Sequence, residues 1–478
     1  MIIYKYDSYY EIDDINQADE IYTKIDQVFS SYNWKTRTRY GRLFLQIGST
    51  IRIPSTVDED FLLEIFKGYH IINYETEQKR QVNFYNMRNQ PRNEMQESAI
   101  EFLQGPEKHK VLSLNTNAGK TYITINAISK MKTNAIILVD TISLGEQWVE
   151  EIKKHTDLKT VQIIDAAQIE NQTVEDANIF VITQQSVNSL MLKNYELLNT
   201  FIEEKQIDIK VFDESHLRFQ NMVFINNMFN TAKTIYLTAT FDRNYKEIKQ
   251  WKQVFSGVDK MIKKTIERYR EIHLVRFTSG PTPTEHEVNY VVGLQGASST
   301  LWGKYLTRKE KKLRRKILAP IIEEIIEHYG IKPLKSKPLC IIVPMNEMAY
   351  DLEKYFSKKG YSTSVYNSDE NKTRTTEEIF NHNIIFTNNS MFAKGIDIPK
   401  LKYLINFTSV TSVISLEQVV GRLRGSESEN DNKIYIDCVD ASFGDSFIKQ
   451  QKTRRSYYKK ITTDEELLKE KNVFYIEG

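Results

Sequence analysis

The six residues Val211-Phe212-Asp213-Glu214-Ser215-His216 carry more structural information than any other stretch of this sequence. They close an apolar run that starts at Ile207 and has the β-branched and aromatic content of a buried strand. Such a strand delivers its last side chains to the carboxyl edge of a sheet, where α/β folds bind their ligands. The two adjacent carboxylates therefore predict a cation site and a polarised water at that edge.

A second motif lies upstream, between an apolar strand pattern at 111–114 and a helical pattern that begins at Tyr122. It reads Asn115-Thr116-Asn117-Ala118-Gly119-Lys120-Thr121, which is most of the phosphate loop G-x-x-x-x-G-K-[ST]. Leu114 stands where the first glycine is usual, and Asn117 can supply a left-handed turn. The alternative, a chance Gly-Lys-Thr in a loop, is disfavoured because a strand pattern precedes the motif and a helix pattern follows it.

The two motifs together predict ATP and Mg²⁺ as cofactors. Backbone N–H groups of the loop would cradle the phosphates, Lys120 would reach the β- and γ-phosphates, and Thr121 would bind Mg²⁺. Asp213 would bind the same ion through water, and Glu214 would activate the attacking water. His216 is placed to couple this site to the neighbouring strand that ends in Thr238-Ala239-Thr240.

Gln96 opens a helical pattern upstream of the phosphate loop. A glutamine at such a place can pair with N6 and N7 of an adenine. Taken alone, Gln96 is better explained as an ordinary surface residue, and its interest comes from the loop that follows. Strands that alternate with helical segments throughout this region predict a parallel sheet.

From Pro338 the strand–helix alternation restarts without a second phosphate loop. Near its end, 415–425 reads as a helix that places Gln418 and Arg422 on one face at a spacing of four residues. A second sheet that ends in arginines is typical of a partner domain that lends an arginine finger to an ATP site. Arg422 and Arg424 are the two candidates for that finger, and Arg422 is favoured.

Several polar and basic side chains are candidates for nucleic-acid contact. Lys35, Arg37 and Arg39 alternate with threonines, so that on a strand the three cations share one face, and Arg42 and Arg52 extend this basic stretch. A solvated outer face of a small sheet explains the same pattern equally well. The other candidates are threonines at the ends of strands, which suit phosphate oxygens but are equally common as helix N-caps, namely Thr141, Thr183 and Thr387.

Composition limits the possible classes of protein. The 478 residues suggest two or three domains, and a formal net charge of +2 requires any nucleic-acid site to be a local patch. Cys340 and Cys438 lie in apolar strand patterns and are expected to be buried thiols in a reducing, cytoplasmic setting. The first residues lack the pattern of a signal peptide, and no apolar run approaches the roughly 20 residues of a membrane span.

These motifs, in this order, resemble those of superfamily 2 helicases over residues 91–440. The first-domain set is matched by Gln96, the phosphate loop, the DExH box at 213–216 and the threonines at 238 and 240. The second-domain set is matched by 386–387, by Gly395-Ile396-Asp397 and by Gln418-Val419-Val420-Gly421-Arg422. The resemblance implies that Gly395 and Asp397 help to bind the nucleotide.

The resemblance also implies an α/β fold with two RecA-like parallel-sheet domains in tandem. We expect an α+β N-terminal domain at 1–86, RecA-like domains at 87–262 and 263–445, and a helical tail at 446–478. ATP would lie between the RecA-like domains and nucleic acid across both. One departure affects the arginines, because the family usually has Q-x-x-G-R-x-x-R, whereas Arg424 comes early here and Gly425 takes the expected place.

Size and the Arg39-Tyr40-Gly41 stretch make the chain most similar to the phage recombination and branch-migration helicases of the UvsW group and related viral enzymes. That resemblance implies an ATP-driven motor on single-stranded, forked or branched DNA, acting inside an infected bacterial host. Three alternatives stay open: an RNA helicase or transcript-release ATPase, the motor subunit of a nuclease complex, and a scaffold that binds nucleic acid without catalysis. Intact Lys120, Thr121, Asp213, Glu214 and Arg422 argue against the last.

Overall fold

The chain folds into two units, which are Met1–Lys264 and Thr265–Gly478. All structural statements below concern the residues that the computed structural model describes, which are 2–33, 38–74, 85–114, 118–158, 160–215, 219–239, 254–263, 271–279, 282–293, 296–308, 311–367, 369–370, 374–388, 391–392, 398, 401–409, 413–423, 433–462 and 471–474. Among the helices in these ranges, none combines the length and the apolar composition needed to cross a bilayer.

The first unit begins with a small α+β part. Its strands are β1 (Ile2–Lys5), β2 (Tyr9–Ile12), β3 (Ser31–Asn33), β4 (Thr38–Tyr40), β5 (Leu45–Ile47), β6 (Thr50–Pro54) and β7 (His70–Asn73). Its helices are α1 (Glu20–Val28) and α2 (Glu59–Ile65). Five of the strands form a mixed sheet in the order β5-β6-β2-β1-β7, while β3 and β4 pair separately as an antiparallel hairpin.

This small sheet shares its hydrophobic core with the rest of the first unit. Ile3, Tyr10 and Ile53 of the sheet and Phe29 after α1 belong to one buried cluster, which continues into Phe212 of the following domain. The N-terminal part is therefore packed against its neighbour through apolar contacts and is not joined to it by a linker alone.

Arg52 is a structural residue of this junction, which corrects the expectation that it extends a phosphate-binding surface. Only 8% of Arg52 is exposed. Its Nε donates to Glu11 Oε2 at 2.6 Å and its Nη1 donates to the carbonyl of Met228 at 3.0 Å. A guanidinium that is buried and paired in this way has no free face to offer to a phosphate.

The remainder of the first unit alternates strands and helices. The helices are α3 (Glu94–Gln104), α4 (Lys120–Met131), α5 (Ile142–His155), α6 (Ala166–Glu170), α7 (Gln184–Glu204) and α8 (Phe219–Asn226). The strands are β8 (His109–Leu114), β9 (Asn134–Val139), β10 (Val161–Ile164), β11 (Ile179–Thr183), β12 (Ile207–Phe212), β13 (Lys233–Thr238) and β14 (Asp259–Lys263). All seven strands are parallel, in the order β10-β11-β9-β12-β13-β8-β14.

Burial explains why the central strands form. Every residue of β8, β9 and β12 is buried, which fits strands of a parallel sheet that is covered on both faces. The polar residues among them have internal partners. Lys210 in β12, for example, donates from its Nζ to the carbonyls of Asn226 and Phe229 and so caps the end of α8.

The second unit repeats this architecture. Its helices are α9 (Glu285–Val291), α10 (Ser299–Arg308), α11 (Lys311–His328), α12 (Asn346–Lys358), α13 (Thr376–Phe380), α14 (Val413–Val420) and α15 (Asp445–Ile461), with a 3₁₀ turn at Ala441–Phe443. Its strands are β15 (Glu271–Phe277), β16 (Val292–Gly293), β17 (Gly296–Ala297), β18 (Leu339–Val343), β19 (Thr363–Tyr366), β20 (Ile384–Asn388), β21 (Tyr403–Asn406), β22 (Ile434–Asp440) and β23 (Lys471–Phe474). Seven of them form a parallel sheet in the order β19-β20-β18-β21-β22-β15-β23.

A buried ion pair anchors the C-terminal helix α15 to this second sheet. Arg454 donates from Nε and Nη2 to the two carboxylate oxygens of Asp437, both at 2.8 Å, and neither side chain is exposed. Tyr458 also donates to Asp437, and its hydroxyl lies 3.2 Å from that of Tyr435. Asn406 donates to Tyr435, so hydrogen bonds run from α15 to the carboxyl end of β21.

The predicted fold class is confirmed: two tandem parallel-sheet domains follow a small α+β part. The division between Lys264 and Thr265 lies two residues from the expected boundary at 262. All of the expected boundaries stay predictions; the N-terminal sheet shares a core with the first unit, and α15 packs on the second sheet. The expected helical tail also contains a strand, β23, which pairs with β15.

Candidate nucleotide-binding site

The phosphate-loop motif and the paired carboxylates meet at one edge of the first parallel sheet. The motif follows β8 and the carboxylates follow β12, and only β13 lies between these two strands. Since neighbouring strands are about 4.8 Å apart, the two strand ends are about 10 Å apart. Asp213 N donates to the carbonyl of Leu138 in β9, and Ser215 N donates to that of Leu237 in β13. The turn after β12 is therefore fixed to a strand on each side.

Lys120 is the first residue of α4, and its side chain turns back toward the strand before the loop. Its Nζ donates to the carbonyl of Leu114, the last residue of β8, at 3.2 Å. Gly119, which caps the helix, has φ +82°, a conformation that L side chains rarely adopt. A cationic side chain at the N-terminal end of a helix is an arrangement that suits a phosphate.

Gln96 lies against the phosphate loop and has little exposed surface, since 3% of it is exposed. Its Nε2 donates to the carbonyl of Ala118 at 3.1 Å, and its Oε1 accepts from the backbone N–H of Arg92 at 2.9 Å. A β-carbon added to Gly119 would come within 2.5 Å of Gln96 Nε2. The Gln96 amide therefore stabilises the loop, and an adenine that pairs with the same amide would compete for its hydrogen bonds to Ala118 and Arg92.

Within the described part of the chain, Asp213 has one donor for each carboxylate oxygen. Trp148 in α5 donates from its indole Nε1 to Oδ2 at 2.8 Å, and the backbone N–H of Glu214 donates to Oδ1 at 2.9 Å. Each oxygen retains a second acceptor position, as a ligand of a metal-bound water requires. Trp148 was not among the expected site residues, because nothing in the sequence links it to a residue 65 positions away.

The charges at this site act on one another. Burial and then the neighbouring Glu214 carboxylate raise the pKa of Asp213 above its ordinary value, while the Trp148 N–H and the Lys120 charge lower it. Glu214 itself has φ +46°, in the left-handed region that is costly for a residue with a β-carbon. Such backbone strain is concentrated at functional sites, because surrounding structure must hold it in place.

Two of the three strand-end threonines cap helices, and the third is buried. Thr141 and Thr183 are the N-caps of α5 and α7, and each hydroxyl accepts a backbone N–H bond. Thr387 is 1% exposed and donates to the carbonyl of Tyr366 at 2.9 Å. We therefore withdraw Thr387 as a nucleic-acid contact, while Thr141 and Thr183 stay predictions.

Arg422 follows α14 in the second unit and is 5% exposed. Gln418 lies in α14, and Arg39 lies in β4 opposite Tyr32. The side chains of Gln418 and Arg39 are not described. The remaining expected site residues lie outside the described ranges, namely Lys35, Arg37, Thr116, Asn117, His216, Gly395, Asp397 and Arg424.

Two family models match the chain, one in each folded unit. Residues 87–243 match the family described as Type III restriction enzyme, res subunit, and residues 321–425 match the helicase conserved C-terminal domain. The first match contains the phosphate loop and Asp213, and the second contains Arg422. Together the two matches support a superfamily 2 helicase.

Individual relatives agree with this family. A putative ATP-dependent RNA helicase of Acanthamoeba polyphaga mimivirus is 24% identical over 360 residues, which are 73% of this chain and 63% of that protein. The DNA 3'-5' translocase XPB2 of Sulfurisphaera tokodaii is 28% identical over 141 residues, which are 29% of this chain and 28% of that protein. The chain thus spans less than two thirds of the length of either relative.

A solved structure has the same fold. The S. cerevisiae protein Dbp5 bound to RNA and ADP BeF3 superposes with a TM-score of 0.52 at 15% identity, and the match covers 80% of this chain and 89% of that one. Identity at this level supports the fold alone, which is that of tandem RecA-like helicase domains.

Proposed function

We propose that this superfamily 2 helicase is an ATP-dependent motor that unwinds or remodels branched DNA. One observation carries the ATP-dependent part of the proposal. The ammonium of Lys120, the left-handed Gly119 and the Asp213 carboxylate are gathered at one edge of a parallel sheet, with Gln96 bound to the loop between them.

The residues at this edge fit a nucleotide and Mg²⁺. Bound ATP supplies the phosphoanhydride bond whose hydrolysis drives the motor. Lys120 and the start of α4 would hold the phosphates, and the free acceptor positions of Asp213 would bind the water ligands of Mg²⁺. Glu214, next in the chain, would take the proton of the attacking water. Thr121 is proposed as a ligand of Mg²⁺, and Arg422 as the arginine finger.

The test separates ATP turnover from binding to nucleic acid. Lys120→Ala and Glu214→Gln should each abolish ATP hydrolysis, while affinity for DNA, measured by fluorescence anisotropy at fixed salt, survives. Lys130→Ala is the matched control, because Lys130 is an exposed lysine of the same helix and its loss should leave turnover intact. Turnover that persists in both site variants would refute the assignment.

The DNA part of the proposal rests on the resemblance to phage recombination and branch-migration helicases. It would place the protein in phage recombination, repair or replication, in the cytoplasm of an infected cell. The basic stretch with Lys35, Arg37 and Arg39 is then the first surface to mutate. Removing one phosphate contact there should reduce the dependence of log affinity on log salt by about one unit.

A second candidate function has support of its own. The relative with the longest alignment described above is named a putative ATP-dependent RNA helicase, and it covers 73% of this chain. Competition between branched DNA and RNA of equal length, at one salt concentration, distinguishes the two substrates. Displacement of labelled DNA by RNA at a lower concentration than by unlabelled DNA would favour the RNA helicase.

A further inference from the structure

Trp148 occupies a place at the proposed nucleotide site that no motif assigns to it. It lies in α5, and 2% of it is exposed. The indole N–H is the single hydrogen-bond donor of the Trp148 side chain. It donates to Oδ2 of Asp213 at 2.8 Å. The indole therefore acts on the one carboxylate that is proposed to bind Mg²⁺.

Packing fixes the position of this indole. α5 lies on the sheet so closely that a β-carbon added to Gly145 would come within 3.3 Å of Val181 Cγ1 and 3.7 Å of Val139 Cγ2. Leu144 and Ile152 are buried on the same helix. The N-cap bond from Leu144 N to Thr141 sets where the helix begins. The direction of the Trp148 N–H is thus determined by the sheet and not by solvent.

The carboxylate is held at both oxygens. Trp148 donates to Oδ2, and Glu214 N donates to Oδ1 at 2.9 Å, so rotation of the Asp213 side chain would break two hydrogen bonds. Hydrogen bonds to charged groups are about twice as strong as neutral ones. Partners that orient a metal-binding side chain are a general requirement of metal sites.

We propose that Trp148 is a positioning residue for magnesium binding: its indole N–H holds Asp213 in the orientation that presents the remaining acceptor positions to nucleotide-bound Mg²⁺. The inference rests on the proposed function and adds a requirement to it. Trp148 would touch neither the nucleotide nor the metal, and would act only through Asp213.

The second unit supplies a matched control. Trp302 is also 2% exposed, and its Nε1 donates to Oδ2 of the buried Asp440 at 2.8 Å. The pair has the same chemistry as Trp148 and Asp213 but belongs to no proposed nucleotide-binding motif. Trp148→Phe and Trp302→Phe therefore remove equivalent N–H groups and keep an aromatic ring in place.

The experiment measures binding and not turnover. A fluorescent ADP analogue is titrated with the full-length protein at increasing Mg²⁺, and the Mg²⁺ concentration at half-saturation is compared between variants. We expect Trp148→Phe to raise that concentration by roughly ten- to a hundredfold. Trp302→Phe should leave it unchanged, and metal-free affinity for the analogue should be similar in all three proteins.

The outcomes separate this inference from the proposed function. Wild-type protein that fails to bind the analogue overturns both. Wild-type protein whose Mg²⁺-dependent binding survives Trp148→Phe unchanged, or is shifted equally by Trp302→Phe, overturns the inference alone. Should Trp148→Phe not fold, replacement of Trp148 by 3-benzothienylalanine keeps the bicyclic ring, lacks the N–H and gives the same comparison.

Discussion

Replacing Arg454 by Met tests whether the buried ion pair of the second unit is a main source of its stability. Arg454 and Asp437 have no exposed surface, and two hydrogen bonds of 2.8 Å join them. Methionine fills similar volume without charge. Among the described side chains, the hydroxyl of Tyr458 would then be the remaining donor to the buried Asp437, at 3.1 Å.

The expected loss is large because a buried charge loses its partner. Breaking a buried pair from one side costs about 3–5 kcal/mol of the free energy of unfolding. For a unit of about 200 residues, each kcal/mol lowers Tm by about 2–4 °C, so we expect a decrease of about 10 °C. Lys452→Met is the control, since Lys452 is an exposed cation of the same helix and its loss should stay within about 0.5 kcal/mol.

Urea unfolding followed by circular dichroism measures these differences at pH 7. Adding Asp437→Asn to Arg454→Met removes the unpaired charge and should recover at least about 1 kcal/mol, so the two changes are not additive. A loss of less than about 1 kcal/mol in Arg454→Met, or strict additivity in the double variant, would refute this reasoning.

Two further predictions concern the first unit. Burial and then the charge of Lys210 lower the pKa of His109 to about 3. In the unfolded chain the pKa of this histidine is near 6.5, so the unfolded state binds more protons between these two values. The wild-type protein should therefore lose up to about 1.4 kcal/mol of stability per pH unit as pH falls below about 6.5. His109→Gln can still donate to the carbonyl of Asp7 and should flatten urea midpoints measured from pH 7 to 5, whereas parallel profiles would contradict this. Gly119→Ala adds about 1–2 kcal/mol of left-handed strain and displaces the Gln96 amide, so the affinity for a fluorescent ADP analogue should fall. Gly48→Ala is the control, because Gly48 has φ +60° and no atom within 4 Å of the added carbon. A decrease in affinity no larger than that of Gly48→Ala would contradict the role of Gly119.

The sequence predicted a strand together with its motif where the two are adjacent in the chain. β8 and β12 are short, fully buried strands followed at once by their motifs, so local pattern and site coincide. The edge strands β10 and β19 have no comparable pattern. β10 is largely half-exposed, and among the described strands β10 and β19 each pair with a single neighbour, so neither needs a continuous apolar run.

Contacts between distant residues could not be predicted in this way. Trp148 and Asp213 meet because α5 packs on β9, the strand next to β12 in the sheet, and only the topology shows this. Arg52 has the same local pattern as the other cations of the basic stretch, yet its guanidinium is buried against Met228. Charge patterns identify candidate surfaces, whereas burial decides which cations remain on them.

The central claim is that nucleic acid stimulates ATP hydrolysis by this protein. The most direct measurement is the rate of phosphate release at fixed salt without nucleic acid, then with single-stranded, duplex, forked and four-way DNA, and with RNA. We expect slow hydrolysis without nucleic acid and strong stimulation by forked or four-way DNA. Stimulation by RNA alone would assign the motor to RNA, and a hydrolysis rate that no nucleic acid changes would contradict a motor driven on nucleic acid.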